Sequence, residues 1–349
     1  PLAITRSIMK RCIYVGNFMK SRNLIFYLIV TFIIMGVSCE KVDSHTPKFM
    51  IEDPVLKDDC DYIIVIGDTQ VYTNDIKCYP YYEATMNWIW SQCKHRKNIR
   101  CVLHTGDITE HNSPYQYELF YNVTAPTATL VPFVACIGNH DYTWENVNII
   151  SDRYSTLFSS YTKFDRTNSE IVNSFEDGRM ENIIVENIIN GERIDIISLE
   201  FGPRKEVIEW VNAHIKLHPE CKYIILTHEY LSAKGERISM DAYSKRQLRN
   251  TTTSTPEQLW EQLVYDNNNI VSVLCGHNGF STHLFSKNSH NRDVPQVLFN
   301  LQYQNNGGDG WVQIWEFPLN SDYAKVYVYN TITRQYCLDI QYCQFKYKF

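Results

Sequence analysis

The sequence predicts an α/β domain in which buried strands alternate with amphipathic helices, followed by a C-terminal part built from strands. Short, continuous apolar runs recur from Cys60 onward, and such runs are typical of strands that helices cover on both faces. The segments between them carry apolar residues at helical spacing, whereas strand-like segments alone follow Val294. The simplest interpretation is one domain over residues 60–349, which is long enough to bury a substantial core.

The predicted strands fall into an early set and a late set. The early strands are short apolar runs, at Tyr62–Ile66, Ile99–Leu103, Phe133–Ile137, Ile194–Leu199, Tyr223–Leu226 and Ile270–Leu274. The late strands follow one another without helical segments between them, at Gln296–Phe299, Trp311–Phe317, Lys325–Tyr329 and Tyr336–Ile340.

Three helices are predicted between the early strands. Two of them place apolar residues on one face, the first with Met86, Ile89, Trp90 and Cys93 and the second with Val207, Ile208, Val211 and Ile215. The third begins at Thr255, which is a good capping residue, followed by Pro256 in the first turn and Gln258 in the capping-box position.

The N-terminal region is predicted to be a targeting signal followed by a polar tether. Residues 1–18 are expected to precede the natural start at Met19, and residues 19–38 are predicted to be a signal peptide. Its apolar stretch, Leu24 to Val37, has fourteen residues, whereas a membrane span needs about 20. Residues 39–59 are polar and are predicted to be a tether.

Cys39 is the residue on which the predicted location depends. It follows small residues in a pattern that resembles the lipobox of bacterial lipoproteins, in which the cysteine is lipidated. A soluble secreted product and an uncleaved anchor are the alternatives. All three interpretations place the domain outside the cytoplasm, and lipidation would anchor it in the bacterial cell envelope.

The charge balance excludes one class of partner. The chain carries 33 Lys and Arg against 39 Asp and Glu, a net charge of −6, and five of the bases lie within residues 1–39. The remaining domain is strongly acidic, so we expect no nucleic-acid binding surface and no membrane contact beyond the N-terminus. The sequence also lacks a G-x-S-x-G elbow, a P-loop and a G-x-G-x-x-G motif.

Polar residues follow five of the predicted strands at the point where each strand ends. The segments are Gly67-Asp68-Thr69-Gln70, Gly106-Asp107, Gly138-Asn139-His140-Asp141, Thr227-His228 and Gly276-His277. Ligands of open α/β sheets bind at the carboxyl ends of the strands. Each segment alone is typical of an ordinary turn, but the ordered set indicates a functional site.

This ordered set resembles the calcineurin-like metallophosphoesterases, whose pattern is D-x-H, G-D-x-x-[DE], G-N-H-[DE], a strand-end His and G-H-x-H. The resemblance runs from about Tyr62 to Tyr329 and is greatest for a bacterial extracytoplasmic branch with D-T-Q as its first motif. That branch also has stretches like Ser198–Arg204 and like Gln302-Tyr303 with its following glycine-rich run. The resemblance implies a four-layer sandwich, in which two mixed β-sheets are flanked by helices.

The resemblance also implies a metal-dependent phosphoesterase that hydrolyses a phosphate mono- or diester by attack of metal-bound hydroxide. Two divalent ions, from among Mn, Fe, Zn and Mg, would be held, with Asp107 bridging them. The implied ligands are Asp68, Gln70, Asp107, Asn139, His228 and His277. Two divalent cations, two carboxylates and a bound hydroxide together leave the centre slightly positive, which suits an anionic ester.

His140 and Asp141 are the implied catalytic residues. His140 would protonate the leaving group, with Asp141 orienting or charging it. The alternatives are a histidine that only hydrogen-bonds the phosphate and an aspartate that only shapes a turn. Glu110 is expected to support this loop rather than to bind metal.

Two positions depart from the family pattern. Gln70 and Gly279 stand where the family has histidines that bind the first ion, the one held by Asp68. We therefore expect weaker, more Mg- or Mn-like binding there, and Asp309 or Gln302 is a candidate replacement ligand. Asp309 and Arg204 are also the candidate substrate residues. Arg204 is either a phosphate clamp or an exposed arginine in the first turn of a helix. The alternative function is a degenerate envelope binding protein with one metal or none and no catalysis.

Overall fold

The computed structural model describes residues 56–96, 98–146, 149–238, 248, 252–337 and 344–349. The predicted signal peptide, Cys39 and most of the predicted tether lie outside these residues, and so does the end of the predicted strand Tyr336–Ile340. Those assignments stay predictions. Within the described residues, each helix is too short or too polar to cross a membrane.

Strands and helices alternate over the first part of the chain as predicted, whereas strands follow one another directly between residues 171 and 198 and dominate after residue 280. The strands are β1 (Cys60–Ile66), β2 (Ile99–His104), β3 (Phe133–Ala135), β4 (Trp144–Asn146), β5 (Ile149–Ile150), β6 (Ile171–Ser174), β7 (Ile183–Val185), β8 (Ile188–Ile189), β9 (Glu192–Ser198), β10 (Lys222–Leu226), β11 (Ile270–Cys275), β12 (Ser281–Lys287), β13 (Asp293–Phe299), β14 (Trp311–Pro318), β15 (Tyr323–Asn330), β16 (Gln335–Tyr336) and β17 (Gln344–Lys348). The helices are α1 (Gln70–Asn74), α2 (Tyr79–His95), α3 (Pro114–Ala128), α4 (Phe158–Thr162), α5 (Asp165–Ser169), α6 (Lys205–Leu217), α7 (Pro256–Leu259) and α8 (Asn305–Gly308).

Two mixed sheets form the centre of the domain. The first sheet has the order β16-β15-β14-β1-β2-β3, with β17 also paired to β15. Its strands β1, β2 and β3 are parallel, and β14 joins β1 in the antiparallel sense. The second sheet has the order β12-β13-β11-β10-β9-β7-β6, in which β13, β11, β10 and β9 are parallel. Each sheet therefore presents several strand carboxyl ends at one edge.

The side chains of β10 show how the layers are stacked. Ile224 and Leu226 belong to the hydrophobic core shared with the first sheet, whereas Tyr223 and Ile225 belong to the core shared with α6 and α7. Successive strand residues point to opposite faces, so one face of the second sheet packs on the first sheet and the other on helices. Buried residues of α2 and α3 pack against the first sheet. The predicted four-layer sandwich is confirmed.

The predicted helices α2 and α7 are present, and each differs from its prediction in one respect. Thr255 Oγ1 accepts from the Gln258 N–H at 3.2 Å, and Gln258 Oε1 accepts from the Thr255 N–H at 2.9 Å, which completes the capping box of α7. The helix then loosens into a π-type turn over Trp260–Val264. In α2, Trp88 is buried and Trp90 is only half-buried beneath Lys94, so the apolar face is rotated from the predicted one.

Candidate metal centre

Four donor atoms from four different strand ends converge between the two sheets. They are Asp107 Oδ2, Asn139 Oδ1, His228 Nε2 and His277 Nδ1, which we call the four-donor cluster. His228 Nε2 lies 3.1 Å from Asp107, 3.2 Å from Asn139 and 3.2 Å from His277, and His277 lies 2.9 Å from Asn139. Ligand atoms bound at about 2.1 Å to one cation are about 3.0–3.4 Å apart. The spacing therefore fits a shared cation.

The two histidines present the correct ring atoms to the cluster. The His228 Nδ1–H donates to the Thr105 carbonyl at 2.7 Å, which leaves Nε2 with a free lone pair. His277 points Nδ1 at the cluster, and its Nε2 lies 3.6 Å from Glu229 Oε1. A carboxylate or carbonyl behind a ligating imidazole is the usual arrangement in metal sites.

The charges of the cluster also indicate a cation. Burial alone would lower the pKa of His228, but Asp107 and its hydrogen bond outweigh burial and raise that pKa to about 10. Burial and the neighbouring His228 charge lower the pKa of His277 to about 3. The buried Asp107 carboxylate thus favours positive charge at this position, which a divalent cation on the two imidazole nitrogens would supply.

The turn at Asp107 depends on two glycines. Asp107 itself has φ of 50° and follows Gly106 with φ of 96°. A Cβ at Gly106 would lie 2.6 Å from His228 Nδ1, and one at Gly138 would lie 2.1 Å from Asp107 Oδ1. The glycines of the G-D and G-N-H-D motifs are therefore required so that these strand ends can approach one another.

Asp68 lies beside the cluster as a second buried carboxylate. It accepts hydrogen bonds from Thr105 Oγ1 at 3.1 Å, the His277 N–H at 3.1 Å, Asn300 Nδ2 at 2.5 Å and Gln302 Nε2 at 3.3 Å. Burial and the nearby Asp107 raise the pKa of Asp68 well above its usual range. Two adjacent buried carboxylates are an arrangement that a cation stabilises.

Gln70 differs from the residues of the four-donor cluster. It is the first residue of α1, it is 5% exposed, and its Oε1 has no hydrogen-bond partner among the described residues. A buried carbonyl oxygen of this kind fits a ligand to a hard cation. The four-donor cluster thus fits a borderline divalent ion, whereas the Asp68 side offers oxygen atoms.

The structure gives His140 a different carboxylate partner from the predicted one. His140 Nδ1 contacts the Glu110 carbonyl at 3.1 Å and Glu110 Oε1 at 3.5 Å, and its backbone N–H donates to Asp107 Oδ1 at 2.9 Å. Burial opposes protonation of His140, but Asp107 and Glu110 outweigh it and raise its pKa. The ring is partly exposed beside the cluster, where a substrate would be reachable.

Asp141 does not orient or charge the His140 ring. Its buried carboxylate accepts from the backbone N–H groups of Ile108, Thr109 and Gly138 at 3.0–3.1 Å, and from two hydroxyl groups at 3.2 Å. Burial and Asp107 raise the pKa of Asp141 to about 6 despite these donors. The role that the structure supports is joining the Asp107 loop to the Asn139 loop.

The two candidate substrate residues are engaged elsewhere. Arg204 binds both oxygens of Glu200 at 2.9 and 3.0 Å and also contacts Glu176 at 3.1 Å, so it is neither a free phosphate clamp nor an exposed arginine. Asp309 accepts from Asn306 Nδ2 at 3.0 Å within its own turn. In each case another side chain of the protein already contacts the group that was expected to meet substrate.

The sequence reasoning missed Asn300, which contacts the centre through Asp68. Asn300 follows β13, which is parallel to β11, and its Nδ2 donates to Asp68. The rule that identified the other five strand ends applies equally to the predicted strand Gln296–Phe299. The signal was therefore present in the sequence, one residue after that strand.

A family model and known proteins match this chain. The model described as calcineurin-like phosphoesterase matches residues 62–313. An uncharacterized protein of Bacillus subtilis (strain 168), YvnB, is 25% identical over 278 residues, which is 76% of this chain and 19% of that protein. This chain therefore spans a small part of that relative.

Solved structures share the fold at low sequence identity. The purple acid phosphatase PPD1 from yellow lupin (Lupinus luteus) superposes with a TM-score of 0.51 at 14% identity, over 84% of this chain and 54% of that chain. A 5'-nucleotidase precursor from Thermus thermophilus has a TM-score of 0.44 at 12% identity, over 83% and 54% of the two chains. The likeness to the lupin protein supports the sandwich architecture.

Proposed function

The chain belongs to the calcineurin-like phosphoesterase family, and from that premise we propose that it is a divalent-cation-dependent hydrolase of phosphate mono- or diesters. One observation carries the proposal. Among the four donor atoms, His228 Nε2 lies 3.1–3.2 Å from each of the other three and His277 Nδ1 lies 2.9 Å from Asn139 Oδ1, beside the second buried carboxylate of Asp68. The proposed ligands are Asp107, Asn139, His228 and His277 at one cation, and Asp68, Asp107 and Gln70 at a second.

The bound cations, Asp107 and His140 have separate roles in the proposed hydrolysis. Bound divalent cations supply Lewis acidity toward the phosphoryl group and a water acidic enough to ionise near neutral pH. One Asp107 oxygen faces the four-donor cluster, and the other accepts a hydrogen bond from the His140 backbone N–H. Asp107 therefore fixes the position of His140 relative to the cluster. When the P–O bond of the ester breaks, the departing oxygen needs a proton, and we assign the donation of that proton to the His140 imidazolium.

Replacing His140 with alanine is expected to lower kcat by about 10²–10⁴-fold for an ester with a basic alkoxide leaving group. A nitrophenolate leaving group needs little protonation, so the loss for p-nitrophenyl phosphate should be much smaller. The measurement compares kcat of parent and His140→Ala on p-nitrophenyl and alkyl phosphates at saturating Mn²⁺. Equal losses on both esters would contradict a proton-donor role. His290→Ala, at an exposed loop histidine, is the control and should leave both rates unchanged.

A binding protein without catalysis is the second candidate function. One observation favours it, because Asp68 already accepts hydrogen bonds from four protein donors, as a carboxylate without a cation would require. The two candidates differ in the parent protein. A hydrolase turns over phosphate esters with added Mn²⁺, whereas a degenerate member binds phosphate without releasing product.

A further inference from the structure

The loop that follows β13 contacts Asp68 through Asn300 and Gln302 and lies against Gly279, a position where the family pattern has a histidine. We propose that the amide oxygens of Gln302 and Gln70 complete the cation position beside Asp68, so that this position has oxygen ligands only and selects a hard divalent cation of the Mg²⁺ or Mn²⁺ class. The inference rests on the proposed function because it concerns the same centre. It names a ligand, Gln302, and a difference in metal preference between the two positions.

Gln302 is the residue that carries the inference. Its side chain is 3% exposed, and its Nε2 lies 3.3 Å from Asp68 Oδ2. Its Oε1 is buried without a hydrogen-bond partner in the described part of the chain. Rotating the amide by half a turn exchanges the two atoms and brings Oε1 toward Asp68, where a cation would be bound. The Gln302 backbone N–H donates to Asn300 Oδ1 at 3.0 Å, which holds the loop in place.

Gln70 provides a second oxygen of the same kind. Like Gln302, it is buried, and its Oε1 is also without a partner among the residues described. Buried polar atoms are nearly always paired in proteins. One unpaired carbonyl oxygen thus belongs to the residue two positions after Asp68, and the other belongs to Gln302, whose Nε2 contacts Asp68, so both amides are near the carboxylate that a cation would bind.

Tyr303 explains why a histidine is not accommodated at position 279. A Cβ built on Gly279 would lie 2.0 Å from Tyr303 Cδ2, so the tyrosine ring occupies the space above the glycine. The ring is 74% exposed and lies at the surface of the site. The same loop thus fills the space of the absent imidazole with Tyr303 and directs Gln302 inward to Asp68.

The two cation positions therefore differ in donor chemistry. The four-donor cluster contains two imidazole nitrogens, which suit Zn, Fe and Mn. The position beside Asp68 contains carboxylate and amide oxygens, which suit Mg, Mn and Ca. We expect Zn²⁺ to bind tightly at one position only and Mn²⁺ to bind at both.

The test is calorimetric titration of the metal-free, full-length chain with Mn²⁺. The parent should bind two Mn²⁺ ions with different affinities, and Gln302→Ala should weaken the weaker step by about 10-fold or more with the tighter step unchanged. Gln302→Glu keeps an oxygen at the same reach and should retain both steps. Gln304→Ala, at an exposed glutamine two residues on, is the matched control and should bind as the parent does.

Three results would overturn the inference: a single Mn²⁺ step in the parent, an unchanged weaker step in Gln302→Ala, or an equal loss in Gln302→Ala and Gln302→Glu. The last result would mean that packing of the loop matters and its oxygen donor does not. These results are distinct from failure of the proposed function. That failure would appear as a parent chain that binds two Mn²⁺ ions and hydrolyses no phosphate ester.

Discussion

Asp107→Asn is expected to lower the turnover of phosphate esters by about 10³-fold or more while the protein stays folded. Asp107 supplies the carboxylate of the four-donor cluster, 3.1 Å from His228 Nε2, and its other oxygen accepts the His140 N–H. An amide keeps the size and the ability to accept that N–H, but it removes the negative charge that would balance a cation. The measurement is kcat/KM on p-nitrophenyl phosphate with saturating Mn²⁺.

The control for this variant is Asp293→Asn, which makes the same chemical change at an exposed surface pair with Lys287. It should leave turnover unchanged. Circular dichroism and the urea midpoint should be close to those of the parent for both variants. Equal activity of Asp107→Asn and the parent would contradict the assignment of the catalytic centre.

Asp141→Ala is expected to lower the free energy of unfolding by about 3–5 kcal/mol. The substitution leaves three buried backbone N–H groups, those of Ile108, Thr109 and Gly138, without their acceptor. Because these groups join the Asp107 loop to the Asn139 loop, activity should fall together with stability. Urea unfolding followed by tryptophan fluorescence measures the effect.

The companion variant Asp141→Asn retains a carbonyl oxygen and should lose roughly half as much stability or less. Asp177→Ala, at an exposed loop aspartate, should unfold within about 0.5 kcal/mol of the parent. If Asp141→Ala unfolded at the same urea concentration as the parent, the carboxylate would not hold these loops together.

The fold and the four-donor cluster could be predicted from the sequence, because both follow from short apolar runs and from the polar residues directly after them. Apolar runs such as Tyr62–Ile66 and Tyr223–Leu226 are buried on both faces, and the structure has strands there. Parallel strands bring their carboxyl ends to one edge, so Asp107 and His228 meet although they are far apart in the chain.

The short strands β6, β7 and β8 were not predicted. They span four, three and two residues, which is too little for a periodic pattern to be recognised. Their pairing with β9 and with one another depends on tertiary contacts rather than on local sequence.

Arg204 and Asp141 differ from their predicted roles, and each combines a partner within four residues of it with a partner far away in the chain. Arg204 meets Glu176, 28 residues before it, and Asp141 meets the backbone of Ile108, 33 residues before it. The distant partner depends on how the loops pack, and sequence spacing carries no signal for it. The sequence predicts Gln302 only as one of two candidate replacement ligands, together with Asp309. The direction of the Gln302 side chain depends on the turn at Asn300, and the sequence alone does not give that direction.

The central claim is that the four-donor cluster binds a divalent cation, and anomalous diffraction from crystals grown with Mn²⁺ tests it most directly. We predict an anomalous peak about 2.0–2.3 Å from Asp107 Oδ2, Asn139 Oδ1, His228 Nε2 and His277 Nδ1. Crystals in which Mn²⁺ is bound elsewhere, with no anomalous peak among these four atoms, would contradict it.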